Sequence, residues 1–488
     1  MITLTRRRAR DLRAIFRRHP LGIAHKGPVP PLVFRADPAA GLRVRHHQAP
    51  LAVELVLPGP DRPGEAVALP LDALADFEGR DDTPVVLEAA APDRTLARWE
   101  DRGIPRSKEY PVPDPAELPS FPGLPTAFET CPAGLLDALA QAAATTDEGS
   151  TRYALDCLQL KGDTGEVVAT DGRQILIQGG YRFPWGGDLL VRRTPLFASR
   201  ALPRDRPVAV GRTDAHAAVR AGDWTVWLTV RADARFPRTE HAVPDPAAVT
   251  TRLRLGGGDA AFLARALDRL PGGDDANAPV TLDLNGRVAV RARDTGQGPV
   301  TELVLSRSVY TGAPVVISSN RAFLARAVRL GFAGVDVVDA DSPVVCRDGP
   351  RVYCFQPLSK ESAIGPGGDV TLVESCASEP TPAGGPGEST KEESTMSERT
   401  EGAGHRPVDN DPGGGIDRGS DAAAPGQGTG NGVAALILEA EGLHTALGEA
   451  KARAARLTVA LRRHRKRERL VDSTLASLRA LKLEEVSG

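Results

Sequence analysis

Up to about residue 360 the chain alternates between two hydrophobic periods. The runs ELVL (Glu54–Leu57), WTVWLTV (Trp224–Val230) and VTLDL (Val280–Leu284) predict strands with a buried face. Apolar residues at helical spacing predict short amphipathic helices over Arg8–Arg18, Ala133–Ala144, Ala260–Leu270 and Arg321–Leu330. Strands outnumber helices, and several connections are short enough for hairpins. The class that follows is α+β, with antiparallel sheets carrying helices on one face. From Glu361 to Asn431 the pattern stops. Gly, Pro, Ser, Thr and Glu dominate there, and such a segment buries too little apolar surface to offset chain entropy, so 361–431 is expected to be a disordered linker. A helical pattern returns over 432–488. Leu436, Leu443, Ala450, Leu457, His464, Val471 and Leu478 recur every seven residues, with a second row at Ala440, Leu447, Ala454, Leu461 and Leu475, as a coiled coil or helical hairpin requires. The basic stretch Arg462–Arg469 interrupts this stripe, either as a turn between two helices or as a solvated segment.

An internal repeat orders the first part of the chain. Val-Pro-Asp-Pro-Ala occurs at Val112–Ala116 and again at Val243–Ala247, each copy followed by a strand-like start and a helix. The Pro-rich strings read as connectors, because proline limits flexibility where no ladder donor is needed. Modules over 1–122, 123–247 and 248–360 follow.

Charge changes the picture only locally. The 61 Lys+Arg and 63 Asp+Glu nearly cancel, which excludes a uniformly basic coat but not a basic patch. Aromatics at 4% argue against a reader of single strands by base stacking. The five cysteines, at 131, 157, 346, 354 and 376, show neither a disulfide framework nor metal-ligand spacing, and a reducing compartment is expected. The basic N-terminal segment has no apolar stretch behind it, and no run approaches a membrane span, so a cytoplasmic protein without membrane contact is expected. The sequence offers no phosphate loop, nucleophile elbow or ligand cluster; the expectation is a non-enzyme without cofactor or metal.

STRYALDCLQLKGDTGEVVATDGRQIL (Ser150–Leu176) resembles the middle domain of the bacterial sliding clamp, the β subunit of DNA polymerase III, with its Ala-Thr-Asp-Gly stretch. ARFPRTEHAVP (Ala234–Pro244) is similar to that family's connector into its third domain, NRAFLARAV (Asn320–Val328) to its last helix, and RVYCFQPL (Arg351–Leu358) to its closing strand. The resemblance covers about residues 1–360. It implies three tandem clamp modules, a head-to-tail homodimer closed into a ring with helices around the hole, and a non-catalytic processivity factor on duplex DNA. It also implies a clamp loader and polymerase or repair proteins as partners, with the protein at work on the nucleoid.

Two sets of residues follow. The first helix carries Arg6, Arg7, Arg8, Arg10, Arg13, Arg17 and Arg18 against one acid, Asp11. Such a face would bind phosphates without regard to sequence. Arg7, Arg10, Arg13, Arg17, Arg18 and Lys26 are therefore candidate DNA contacts, joined by Arg152 and Tyr153 from the resemblance and by Arg192 and Arg193, placed with Arg200 at the start of a second helix in the middle module. Arg321 and Arg326, on the third module's helix, are candidates of the same kind. The peptide cleft that the resemblance implies would be walled by Leu155, Thr170, Gly172, Arg173, Gln174, Ile175, Pro237, Ala242, Val243, Phe323, Cys354, Gln356, Pro357 and Leu358. Here the chain departs from the family. Its His-Arg-Leu is Arg173-Gln174-Ile175, and its Met-Pro-Met-Arg ending is Gln356-Pro357-Leu358-Ser359. The adaptable methionine lining is gone, so an altered peptide preference is expected. The tail after Lys360 is long enough to fold back into the cleft. An alternative function is also open: a clamp-fold interaction scaffold that does not encircle DNA, assembled through its C-terminal coiled coil.

Overall fold

The computed structural model describes residues 1–23, 27–37, 41–57, 66–147, 153–273, 277–294 and 298–375; the expected coiled coil and most of the expected linker lie outside them. The chain opens with β1 (Ile2–Thr5) and α1 (Arg6–Ile15). It continues through β2 (Leu32–Asp37), β3 (Gly41–Gln48), β4 (Leu51–Leu57), β5 (Ala66–Leu69) and the short α2 (Leu74–Phe77) to β6 (Pro84–Ala91), β7 (Arg94–Asp101) and β8 (Ile104–Pro111). The second run holds β9 (Phe128–Cys131), α3 (Leu135–Ala143), β10 (Cys157–Lys161), β11 (Glu166–Thr170), β12 (Gln174–Gln178), β13 (Asp188–Arg192), β14 (Val208–Arg212), β15 (His216–Ala221) and β16 (Trp224–Thr229). The third holds β17 (Thr251–Arg254), α4 (Gly257–Ala266), β18 (Pro279–Asn285), β19 (Arg287–Arg293), β20 (Val300–Val304), β21 (Val309–Gly312), β22 (Val315–Asn320), α5 (Arg321–Arg329), β23 (Gly334–Val337), β24 (Val344–Asp348) and β25 (Arg351–Phe355). One strand follows, β26 (Val370–Glu374).

Four sheets result, and the repeat is visible in their order. The orders β1-β6-β7-β8 and β9-β14-β15-β16 are equivalent, and β17-β23-β24-β25 is their third copy. Likewise β5-β2-β3-β4, β13-β10-β11-β12 and β22-β18-β19-β20 form a second set. Neighbouring modules join edge to edge. β4 pairs antiparallel with β16 to make an eight-stranded sheet, and β12 pairs with β25 to make a nine-stranded one. These junctions are apolar. On β4 and β16 every residue from Leu51 to Leu55 and from Trp224 to Leu228 is buried. Full burial of one such large side chain is worth about 1.5–3 kcal/mol. The first connector lies across the β4–β16 junction. Trp227 donates its indole N–H to the Gly123 carbonyl at 3.0 Å and meets Phe121 edge-on at 5.0 Å. Gly211 permits the passage, because a Cβ there would come within 2.7 Å of Pro125 and the Ala127 carbonyl.

The helices stand near their expected places. α1 starts at Arg6 because the Thr5 hydroxyl accepts from the Arg8 N–H at 3.2 Å and caps it. Ala9, Leu12 and Ile15 face the core with Phe16, whose ring lies 5.7 Å from Trp224 of the next module, so one core spans both. The second helix expected in the middle module is a single 3-10 turn, Pro195–Ala198: Arg192 ends β13, Arg193 precedes the turn and Arg200 follows it. The chain turns extended at Ser199, and Arg204 bonds the Phe197 carbonyl and Asp137.

The expected linker start at Glu361 needs correction. Ile364 is buried with its N–H donated to the Thr281 hydroxyl at 2.7 Å, and residues 370–374 pair in parallel with β20. Apart from Ile364 the segment is held by hydrogen bonds more than by apolar burial, which composition alone does not reveal.

Candidate nucleic-acid interface and partner cleft

The helix expected to reach Arg18 ends at Ile15, so Arg17 and Arg18 lie in the turn after α1, and the arginines of helix and turn divide by what they touch. Arg6 reaches Asp101 at 3.0 Å and the Glu78 carbonyl at 3.3 Å, and Arg13 reaches Glu78 at 2.5 Å; both tie α1 to its own module. Arg7 pairs with Asp82 at 3.1 Å and Arg8 lies 3.9 Å from Asp11, all four exposed. Arg18 donates to the Gly27 carbonyl at 3.0 Å. Arg10 and Arg17 are exposed and have no ion-pair partner among the described residues. Arg6, Arg7 and Arg8 occupy the first turn, where the positive end of the helix dipole opposes cations. Helix stability therefore does not account for them.

Beyond α1 the chain turns at Pro20-Leu21-Gly22, with Gly22 in the left-handed region at φ 71°. This turn packs on the middle module: a Cβ on Gly22 would stand 3.2 Å from Pro195. An open recess forms there, lined by His19, Gly22, Ile23, Asp156, Arg192, Arg193 and Pro195. Arg192 is half-exposed and held by Asp156 at 2.9 Å, while Arg193 reaches the Ala143 carbonyl at 3.4 Å. The turn after α1 thus lies beside Arg192 and Arg193, and His19 joins them; its position just past the arginine run was the available signal. Tyr153 is half-buried under the Arg235 guanidinium, 5.8 Å above its ring. Lys26 and Arg152 lie outside the described residues.

Two further candidates bond within the protein. Arg321 is buried and donates to the Leu270 carbonyl at 2.6 Å and to that of Pro271. Arg326 spans from α5 to the end of α3, meeting the Gln141 carbonyl at 2.7 Å and the Thr145 hydroxyl at 2.5 Å; burial lowers its pKa from the ordinary arginine value. Both guanidiniums are engaged by the protein's own oxygens.

The second site is a cleft of about 190 Å³ at the junction of β12 and β25. Its rim starts at Asp171, whose carboxylate accepts from the Arg173 and Gln174 amides at 2.8 and 2.9 Å, with Gly172 in the left-handed region at φ 89°. Thr170, Gly172, Arg173, Ile175, Pro237, Ala242, Cys354 and Gln356 line it, joined by Arg238, Thr239, Pro343 and Phe355. An apolar cluster of Val168, Ile175, Val345 and Cys354 underlies it, and Val243 packs against that cluster. Burial pushes the Cys354 thiol up to about 12, against the Arg347 charge, so this sulfur is an unreactive wall. The other expected wall residues are not among those that line the cleft. Gln174 is buried and accepts from the Tyr353 hydroxyl at 2.6 Å, and the Phe323 ring packs 6.0 Å from Phe355. Leu155 and Pro357 are buried, and the Leu358 N–H bonds the Ser318 carbonyl at 2.8 Å. Pro343 was not legible because it enters from the loop before β24, far along the chain. Through Ser375 the tail runs over β18–β20 and not into the cleft.

Among the described residues no three His, Cys, Asp or Glu side chains gather as a metal site would require, and no helix is long and apolar enough to cross a membrane.

No family model and no curated protein matches this sequence. Solved structures do match its fold. A putative DNA polymerase III β subunit from Eubacterium rectale aligns with TM-score 0.61 and 14% identity over 73% of this chain and 98% of its own. The DNA polymerase III β subunit of Pseudomonas aeruginosa aligns with TM-score 0.60 and 17% identity, and that of Thermotoga maritima with TM-score 0.58 and 14% identity; each covers 73% of this chain and 99% of its own. The α+β architecture of three tandem sliding-clamp modules expected from the sequence is the fold of this chain.

Proposed function

We propose that this chain is a non-catalytic tether for duplex DNA, a divergent sliding clamp whose modules, limited at about 122 and 247, form half of a head-to-tail ring. The observation that carries the reading is the face of α1. Its first turn gathers Arg6, Arg7 and Arg8 against the dipole, Arg10 on it and Arg17 just past its end have no ion-pair partner among the described residues, and the turn that follows lies beside Arg192 and Arg193. Arginines spaced along an exposed face neutralise phosphates in any sequence, and loose contacts of this kind allow sliding. The fold likeness supports the same reading. The cleft is suited to a short peptide with apolar anchors, offered by a polymerase or repair protein, with Arg173 in place of the family's histidine and Gln356 in place of a methionine among its lining residues. A clamp loader is a further implied partner, and the nucleoid the implied place of work.

Binding to a random-sequence duplex across a salt series tests this. The logarithm of affinity should fall linearly with the logarithm of salt concentration, and Arg10→Ser/Arg17→Ser should reduce the slope by about 2 without changing sequence preference. An unaltered slope would remove α1 from the interface.

A second reading, a clamp-fold scaffold that does not encircle DNA, is favoured by one observation: β26 already occupies an outer edge of the third module. Full-chain protein that ignores duplex DNA at low salt would support the scaffold.

A further inference from the structure

The two junctions inside the chain define what a third would look like. β16 and β25 are the outer strands of hairpins closed by the pairs Ala221↔Trp224 and Asp348↔Arg351; β8 is the outer strand of a hairpin closed by Asp101↔Ile104. On the other side, β4 and β12 are matched by β20. The likeness extends to side chains. Buried Glu54 on β4 lies opposite Arg45 and bonds it at 2.6 Å, and buried Glu302 on β20 lies opposite Arg291 and bonds it at 2.6 Å. Transferring the β4–β16 register, in which Trp224 faces Leu55 and Thr225 faces Glu54, sets Ile104 across from Leu303 and Pro105 across from Glu302. Ile104 is 55% exposed, and β8 is exposed along its length except at Tyr110. The hairpin alternation turns the Ser107 and Glu109 amides outward, as it turns those of Trp227 and Thr229 toward β4.

The matching edge of β20 is occupied by the chain itself. β26 runs parallel to it from Val300↔Val370 to Val304↔Glu374. At its ends the Asp369 carbonyl accepts from Val300 N–H and Ser375 N–H donates to the Val304 carbonyl, both at 3.1 Å, so the intervening amides of Thr371 and Val373 face β20. One side chain latches the segment: the Ser375 hydroxyl accepts from the Ser306 N–H at 3.3 Å and donates at 2.6 Å to Asp259, a buried carboxylate that also accepts from the Ser308 hydroxyl at 2.6 Å. Little else holds it. Residues 371–374 are all exposed, Leu372 by 48%, and parallel pairing is slightly weaker than antiparallel. The root at Ile364 is buried, and Gly365-Pro366-Gly367-Gly368 lies between root and strand.

We infer that β26 is a detachable cap on the assembly edge: it covers the strand on which β8 of a second copy would pair, so head-to-tail association requires its release. This rests on the reading of the chain as half of a ring. The two occupants are exclusive, since a strand edge has one set of free amides and carbonyls.

Amide hydrogen exchange of Ser107 and Glu109 in the full chain tests it, comparing the native sequence with Thr371→Pro/Val373→Pro, which removes two donors to β20. In the native chain both amides should exchange fast at every protein concentration. In the variant they should slow by at least about tenfold as concentration rises. Adding Ser107→Pro should restore fast exchange at Glu109. Ser375→Ala, which removes only the latch, should move the same way to a lesser degree, and serves if the prolines loosen β18 and β19. Protected amides in the native chain, or fast exchange at all concentrations in both released variants, would overturn the cap. The salt series on Arg10→Ser/Arg17→Ser is independent of these outcomes, so failure of the DNA reading is distinguishable from failure of the cap.

Discussion

His46 on β3 shows how burial sets the behaviour of single groups in this chain. It is 1% exposed, and burial pulls its pKa down from 6.5 to about 4, with the Pro31 and Pro30 carbonyls opposing the shift and the neighbouring His47 adding to it. Between those values the unfolded chain binds a proton that the folded chain refuses. The stability contributed is therefore complete above pH 6.5 and is lost as pH falls toward 4, amounting to roughly 3 kcal/mol in total. Urea midpoints of the native chain and His46→Gln should converge as pH drops from 7.5 to 4.5; a constant gap would refute the assignment. The arginines show the limit of composition at the same scale. Their number and clustering were legible, but which of them are spent was not. Arg6 and Arg13 are taken by acids more than sixty residues away, and Arg321 by a carbonyl about fifty residues away. Such pairing depends on which loops meet, and no local pattern records it.

At the scale of elements, the tandem organisation was readable because the Val-Pro-Asp-Pro-Ala connector repeats at one module's spacing and strand alternation is strong in the buried runs. The cleft residues of one local stretch, Thr170 to Ile175, were named through the resemblance of that stretch to the clamp family, as were Pro237 and Ala242 of the connector; Pro343 was not, since it enters from a loop far along the chain. β26 escaped notice because five residues in a Gly- and Pro-rich background carry no burial pattern when only the backbone is engaged. The β12–β25 junction offers a quantitative check. Tyr353 is fully buried, and its hydroxyl bonds Gln174 across the two modules. Tyr353→Phe leaves a buried amide oxygen unsatisfied and should cost about 1–3 kcal/mol, read as a lower urea midpoint with an unchanged m-value.

For the whole molecule, the repeat leaves β8 and β20 as the two strands without a counterpart among the internal junctions. Two chains joined through them would place six modules in a closed cycle. α3 and α4 contribute little positive charge to it: α3 has no basic residue, and α4 has only Arg265. The grip on DNA would then rest on α1 and the Arg192–Arg193 recess, and retention would depend on topology more than on affinity. Residence of the Thr371→Pro/Val373→Pro chain on nicked circular plasmid, compared with the same plasmid after linearisation, tests this most directly. The ring account predicts long residence on the circle at a salt concentration that suppresses surface binding, and rapid loss once the DNA has ends. Equal residence on both forms would contradict it.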